Sequence, residues 1–138
     1  MNNLIIKSNN LIIKSNKVIR HEIYYQGILE NVMLGTHKKL PCGITDITTH
    51  DTHAEIKKWN KWKEAIGQLL SYNTFDYKPN LQIYLFHNYL HTKKLNAIKV
   101  FNKYDITPFE FLCDEDKGKL LIINLLNNKC IFKDDLKN

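Results

Sequence analysis

Cysteine is scarce in this sequence and poorly spaced for cross-linking. Cys42, Cys113 and Cys130 make an odd number at wide separation and form no C-x-x-C pair. That sets aside a disulfide framework and a zinc site built on cysteine, and it favours a reducing compartment. Long apolar runs are also missing, since none approaches the roughly 20 residues that span a bilayer. The opening MNNLIIKSNN has apolar triplets but neither an adequate apolar core region nor a cleavage site, so it does not read as a secretory signal. The expectation is a soluble intracellular protein. There is no G-x-x-x-x-G-K-[ST] loop and no G-x-G-x-x-G turn, which argues against a nucleotide-hydrolysing motor or a dinucleotide enzyme. Ser8, Ser15 and Ser71 lack a nucleophile-elbow setting. Alanine is confined to Ala54, Ala65 and Ala97, against a Lys, Asn and Ile background that suggests AT-rich coding. Such a bias inflates lysine, so the formal charge of +6 is weak evidence of a polyanionic partner, although its sign suits one.

What the chain does have is enough for one core and too little for two: 138 residues, 43% of them hydrophobic. A tandem NLIIKSN heptad occupies residues 3–16. Two copies fall short of the three or four heptads, roughly, that argue a coiled coil. Residues 1–17 therefore read as a low-complexity N-terminal arm, 18–132 as the domain, and 133–138 as a mobile tail. Within the domain, Ile19, Ile23, Ile28 and Val32 fall near helical spacing over 18–34, and Gly35 is a natural stop. Ile44 and Ile47 flank Asp46, Thr49-His50-Asp51-Thr52 supplies turn chemistry, and Ala54-Glu55-Ile56-Lys57 alternates as a strand. The spacing predicts a helix over 61–72, a buried strand over 81–86, a helix over 92–104 with Thr92 as N-cap, and a strand over 106–112. Residues 114–119 read as a turn, and 120–126 are ambiguous between helix and strand. An α/β or α+β domain with a mixed sheet flanked by helices follows.

The chemistry concentrates in residues 43–72. Glu55 and Lys57 share one face of a strand, with Ile56 on the other, and a hairpin would bring Asp46 beside them. Magnesium needs hard oxygen ligands and keeps several waters, so one or two carboxylates plus a substrate phosphate suffice. Asp46 and Glu55 would supply the carboxylates, the Ile56 carbonyl a third oxygen, and Lys57 would hold or deprotonate the attacking water. That is chemistry for cutting a phosphodiester. An Asp followed by Glu-x-Lys is a cheap pattern on its own. Asp105 with Glu115-Asp116-Lys117 repeats it, but in a polar turn that reads as a solvated loop.

Gly43-Ile44-Thr45-Asp46, Glu55-Ile56-Lys57 and Gln68-Leu69-Leu70-Ser71-Tyr72 resemble the successive motifs of the PD-(D/E)XK nuclease superfamily. The last is similar to the Gln-x-x-x-Tyr motif of its exonuclease-related branches, and the run from Trp62 to Tyr72 resembles small nuclease-like proteins of large DNA viruses and mobile elements. The likeness covers residues of about 20 to 105, and Thr45 stands where the motif name expects proline. It implies a restriction-endonuclease-like αβββαβ core, a magnesium (or manganese) ion on Asp46 and Glu55, and DNA endonuclease activity. It also implies an acidic residue on the first helix, Glu22 ahead of Glu30, and a supporting role for Gln68 toward water or substrate. If viral, the protein would work in the cytoplasm or nucleus of its host cell.

Lys58, Lys61 and Lys63 read either as phosphate contacts or as a solvated face. Tyr72 divides between nucleic-acid contact and core packing. Trp59 and Trp62 suit helix-to-sheet packing better than base stacking. His87 and His91 lack the glutamate of a helical zinc motif. So short a chain leaves few elements for specificity, and a homodimer or a larger partner is expected. Two other readings stay open. One is a catalytically silent DNA-binding or viral accessory module on the same fold; the other is an interaction domain in which Glu55 and Lys57 form a surface ion pair.

Overall fold

The structure, a computed structural model, describes residues 19–137. The heptad repeat and the expected N-terminal arm lie outside the described residues. Helix α1 (Glu22–Met33) buries Tyr25 and Leu29, four residues apart, and packs Ile28, Val32 and Met33 against the same apolar cluster. Helical periodicity predicted the helix and the inward side of Ile28 and Val32, but Ile19 and Ile23 are exposed and Tyr25, outside the expected stripe, is buried. The helix ends at Leu34, in the left-handed region at φ 55°. Gly35 then permits a close approach. A β-carbon there would sit 2.8 Å from Cγ2 of Ile47 and 2.9 Å from the Thr48 carbonyl oxygen. Glycine is needed because the chain runs directly against the strand that follows Asp46.

A small hairpin joins β1 (Lys39–Leu40) to β2 (Gly43–Ile44). After it, β3 (Ile47–Thr48) pairs antiparallel with β4 (Thr52–Lys58), closed by the Thr49 N–H donating to Thr52 O at 2.9 Å. The Thr49 and Thr52 hydroxyls both donate to Asp51 Oδ1, so the expected turn chemistry is present. A 3-10 turn (Trp59–Lys61) leads into α2 (Trp62–Phe75), then β5 (Asn80–Phe86), α3 (His91–Lys103) and β6 (Ile106–Asp114). Strands β4, β5 and β6 are parallel neighbours, so α2 and α3 are the crossovers that parallel pairing requires. Antiparallel β7 (Lys119–Asn124) and β8 (Lys129–Asp135) complete a six-stranded mixed sheet in the order β3-β4-β5-β6-β7-β8. The expected α+β class with a mixed sheet flanked by helices is the one adopted.

Strand alternation divides the core into two layers. Ile56, Tyr84, Phe86, Phe109 and Phe111 join the α1 side. Leu81, Ile83, Leu85 and Ile106 join Leu69 of α2 and Phe101 of α3 on the other. Each fully buried large aliphatic or aromatic side chain contributes about 1.5–3 kcal/mol. The ambiguous 120–126 segment resolves as a strand, because Leu120 and Ile122 alternate into the α1 layer. The tail boundary moves as well: Lys133, Asp134 and Asp135 belong to β8 and pair with Leu121, Leu120 and Lys119. Helix α3 begins at His91 with Leu90 in the N-cap position, and Thr92 lies inside it.

Candidate functional site

Asp46 sits in the two-residue break between β2 and β3, at the end of a hairpin that folds it over the middle of β4. Its Oδ2 accepts the Ile56 backbone N–H at 2.7 Å. In return, the Asp46 N–H donates to Glu55 Oε1 at 3.3 Å. The two acids are thus fastened across one hairpin by reciprocal backbone bonds. Glu55 is 2% exposed, on the α2 face of β4, while its neighbour Ile56 lies in the opposite core layer. Burial, reinforced by the adjacent Asp46, pushes the Glu55 carboxyl up to about 9. Both effects favour the protonated form, because two carboxylates so close in a desolvated setting resist ionising together.

Tyr72, one of the residues expected at nucleic acid, is buried, and its hydroxyl donates to Ile44 O at 3.1 Å. Burial and the nearby Glu55 raise its pKa. The phenol therefore ties the hairpin that carries Asp46 to α2. One turn earlier, Gln68 has a buried Oε1 without a hydrogen-bond partner. It lines a depression of about 570 Å³ together with Cys42, Gly43, Ile44, Glu64, Gly67, Ser71 and Tyr72. An acceptor left open in such a place calls for a water or ligand donor.

Lys57 shares the Glu55 face of β4, is half-buried, and has its Nζ 3.9 Å from Glu64 Oε1. The surface ion pair between Glu55 and Lys57 is therefore not formed: Glu55 is interior, and Lys57 turns toward α2. Glu22, in the first turn of α1, feels this cluster directly. Desolvation and then Asp46 raise its pKa, while Lys57 and Lys58 pull it down. Glu30 serves elsewhere, accepting from Gln26 Nε2 at 3.2 Å. Gln26 in turn donates to the Asp46 carbonyl at 2.7 Å. Glu22 thus meets the cluster through its charge, and Glu30 through the amide of Gln26.

Lys58, Lys61 and Lys63 are exposed beside the site, and Lys61 Nζ lies 3.5 Å from Glu64. Trp59 is fully buried, as packing predicted, and donates its indole N–H to Glu110 at 2.6 Å. Asp105 and Glu115 flank opposite ends of β6, about 30 Å apart at strand rise. The second acid–lysine pattern therefore cannot form a site, and Glu115 instead pairs with Arg20 at 2.7 Å. His87 Nε2 lies 2.8 Å from Arg20 O. Gln26 was missed by sequence reasoning, although a lone amide inside an apolar helical stripe was its signal.

Two carboxylates and a backbone carbonyl suit magnesium, which retains water and takes substrate oxygens to complete its shell. They fall short of a cage: among the described residues no group of three or more His, Cys, Asp or Glu side chains could hold a metal ion. What favours a fit is the donor set itself: the two carboxylates are fastened across one hairpin by the Asp46 N–H to Glu55 Oε1 and the Ile56 N–H to Asp46 Oδ2, and a divalent cation would compete with the proton that burial favours on Glu55. No helix among the described residues is long and apolar enough to cross a membrane.

The chain is similar to three KilA-N domain-containing proteins of Acanthamoeba polyphaga mimivirus. One is 37% identical over 93 residues, covering 65% of this chain and 24% of the relative. A second is 43% identical over 65 residues, covering 46% of this chain and 26% of the relative. A third is 43% identical over 44 residues, or 32% of this chain and 12% of the relative. The chain thus spans about a quarter, or less, of the length of these curated relatives. No family model matches the chain. No solved structure matches it.

Proposed function

We propose that this chain is a DNA-associating domain of a viral-type protein. The support is its likeness to mimivirus proteins that share the name of a DNA-binding domain, KilA-N. A formal charge of +6 has the right sign for that partner.

The mimivirus likeness fits a DNA-binding module without catalysis; we propose beyond it a finer reading, metal-dependent hydrolysis of DNA phosphodiesters on a PD-(D/E)XK-like core. One observation carries it, the fastening of Asp46 to Glu55 with Lys57 on the same strand face. The order α1, β1, β2, β3, β4, α2, β5 differs from αβββαβ by one short strand, and β1 and β2 form a two-stranded sheet apart from the main one. Asp46 and Glu55, with the Ile56 carbonyl, would hold a magnesium or manganese ion, which when bound neutralises phosphate charge and activates water. Lys57 Nζ would orient that water or a phosphate oxygen. Gln68 Oε1 would accept a hydrogen bond from the water or from substrate, and Tyr72 would fix the hairpin against α2. Glu22 would add negative charge at the rim. A second copy or a larger partner would supply specificity.

The test has two arms. DNA binding is measured by fluorescence anisotropy with EDTA present, and nicking of supercoiled plasmid is measured with magnesium or manganese. The finer reading expects nicking by the parent chain and its loss, by about a hundredfold or more, in Asp46→Asn and Lys57→Ala. Binding with no nicking under either ion would leave the silent DNA-binding module. No binding in any arm would remove the DNA reading itself.

A further inference from the structure

The surface beyond Lys57 continues onto α3. In the β4–β5 register Lys58 stands opposite Phe86, so the 87–90 loop lies alongside the Trp59 turn. Trp59 and Tyr89 stack with centroids 5.4 Å apart and planes 10° from parallel. Lys93 Nζ lies 5.6 Å from the Tyr89 ring centroid, and Lys94 Nζ lies 5.3 Å from that of Trp59. Two lysines and two aromatic rings therefore form one ordered block.

Only part of this block has an internal purpose. Glu110 Oε2 accepts from both the Trp59 indole and Lys94 Nζ, at 2.6 and 2.5 Å, so Trp59 and Lys94 are accounted for. Lys93 is exposed, Tyr89 is half-buried, and Leu90 is 64% exposed. The first turn of α3 carries no acid and holds His91, Lys93 and Lys94. Glu110 neutralises Lys94, so Lys93 is the cation there that an anionic partner would relieve, since cations at that end of a helix are electrostatically disfavoured. On the near side, Lys58, Lys61 and Lys63 are exposed, with Lys63 over the Trp62 ring. Glu64 is the acid paired there, by Lys61 and Lys57.

We infer that Tyr89 and Lys93 form the second wall of a DNA track. Lys58, Lys61 and Lys63 form the first wall, and the Asp46–Glu55–Lys57 cluster lies beside it. The inference rests on the DNA reading proposed above. Lysines would take the phosphates, and the free edge of Tyr89, held by Trp59 behind it, would meet sugar or base. The Glu110–Trp59–Lys94 network positions this wall and contacts no DNA.

The test uses the full chain, with EDTA, and labelled duplex and single-stranded oligonucleotides of one sequence. Lys93→Glu and Tyr89→Ala are compared with Lys61→Glu, and with Lys133→Glu on β8 as a remote control of equal charge change. The inference expects Lys93→Glu to weaken binding about tenfold and to lower the salt slope by about one, as for a lost phosphate contact. Tyr89→Ala should weaken binding without changing that slope, more for the single strand if it meets bases. Unchanged binding by both variants, with Lys61→Glu weakened, would overturn this wall while sparing the DNA reading. Equal losses in Lys93→Glu and Lys133→Glu would reduce it to net charge and overturn it as well. Absence of binding by the parent chain would remove both. Far-ultraviolet circular dichroism and melting temperatures identify any variant that is merely unfolded.

Discussion

Glu55 is the residue on which stability and chemistry meet. Its carboxyl is raised to about 9 in the folded chain and would titrate near 4.5 once unfolded. Between those values the folded state carries a proton that the unfolded state has released. Stability from this group is therefore fully present below about pH 4.5 and is lost as pH rises toward about 9. The slope is bounded at about 1.4 kcal/mol per pH unit. Melting temperature of the metal-free chain should fall between about pH 6 and about pH 8, and Glu55→Gln should flatten that fall while abolishing any nicking. A melting temperature that rises over the same interval, and still does so in Glu55→Gln, would show that the carboxyl is ionised in the folded chain. The acid–lysine alternation was legible from sequence because strand geometry alone fixes which residues share a face. Gln26 and its bond to the Asp46 carbonyl were not, because that contact depends on where α1 lands over the sheet.

At the scale of elements, the hairpin holding Asp46 is set by how closely the exit from α1 approaches it. Gly35→Ala would push a β-carbon into the Thr48 carbonyl oxygen at 2.9 Å, and backbone cannot yield as a side-chain tip does. The expected cost is about 1–3 kcal/mol in urea denaturation, together with loss of whatever the Asp46 site does. Gly67→Ala, in α2, meets nothing within 4 Å and should be neutral or slightly stabilising. Equal stability for both variants would contradict this account of the hairpin. Elements with a marked period were readable: α1, β4, α2, β5 and α3 appear close to where spacing predicted them. Strand β8 was not readable. Lys133, Asp134 and Asp135 have the composition of a loose end, and their strand character comes from main-chain pairing with β7. Thr92 similarly had the chemistry of a cap, yet α3 begins before it at His91.

For the whole molecule, three parallel strands with helices on both faces provide a frame, and the candidate chemistry gathers toward one edge of it. The β3–β4 hairpin contributes the acids, α2 the glutamine and tyrosine, and α1 the outer glutamate. That β5 is buried on both faces was legible because Ile83-Tyr84-Leu85-Phe86 is a continuous apolar run, whereas which residues enter which core layer was not. The order of strands in the sheet was not, because each register depends on partners far away in sequence. The mimivirus likeness widens the frame: about three-quarters or more of each relative's length falls outside the match. The proposed DNA partner predicts salt-dependent affinity in the range of non-specific binding, about 10⁻⁴–10⁻⁶ M. Nanomolar, sequence-selective binding would instead place the specific reader within this domain.

We propose that the fastened Asp46–Glu55 pair is a cation site, and titration calorimetry is the sharpest probe of that site. Manganese is titrated into the parent chain near neutral pH in two buffers of different ionisation enthalpy. Saturable binding is expected, with a heat that depends on the buffer, because Glu55 gives up its proton as the ion enters. Asp46→Asn should lose that binding. Buffer-independent heats, or binding that survives Asp46→Asn unchanged, would contradict it.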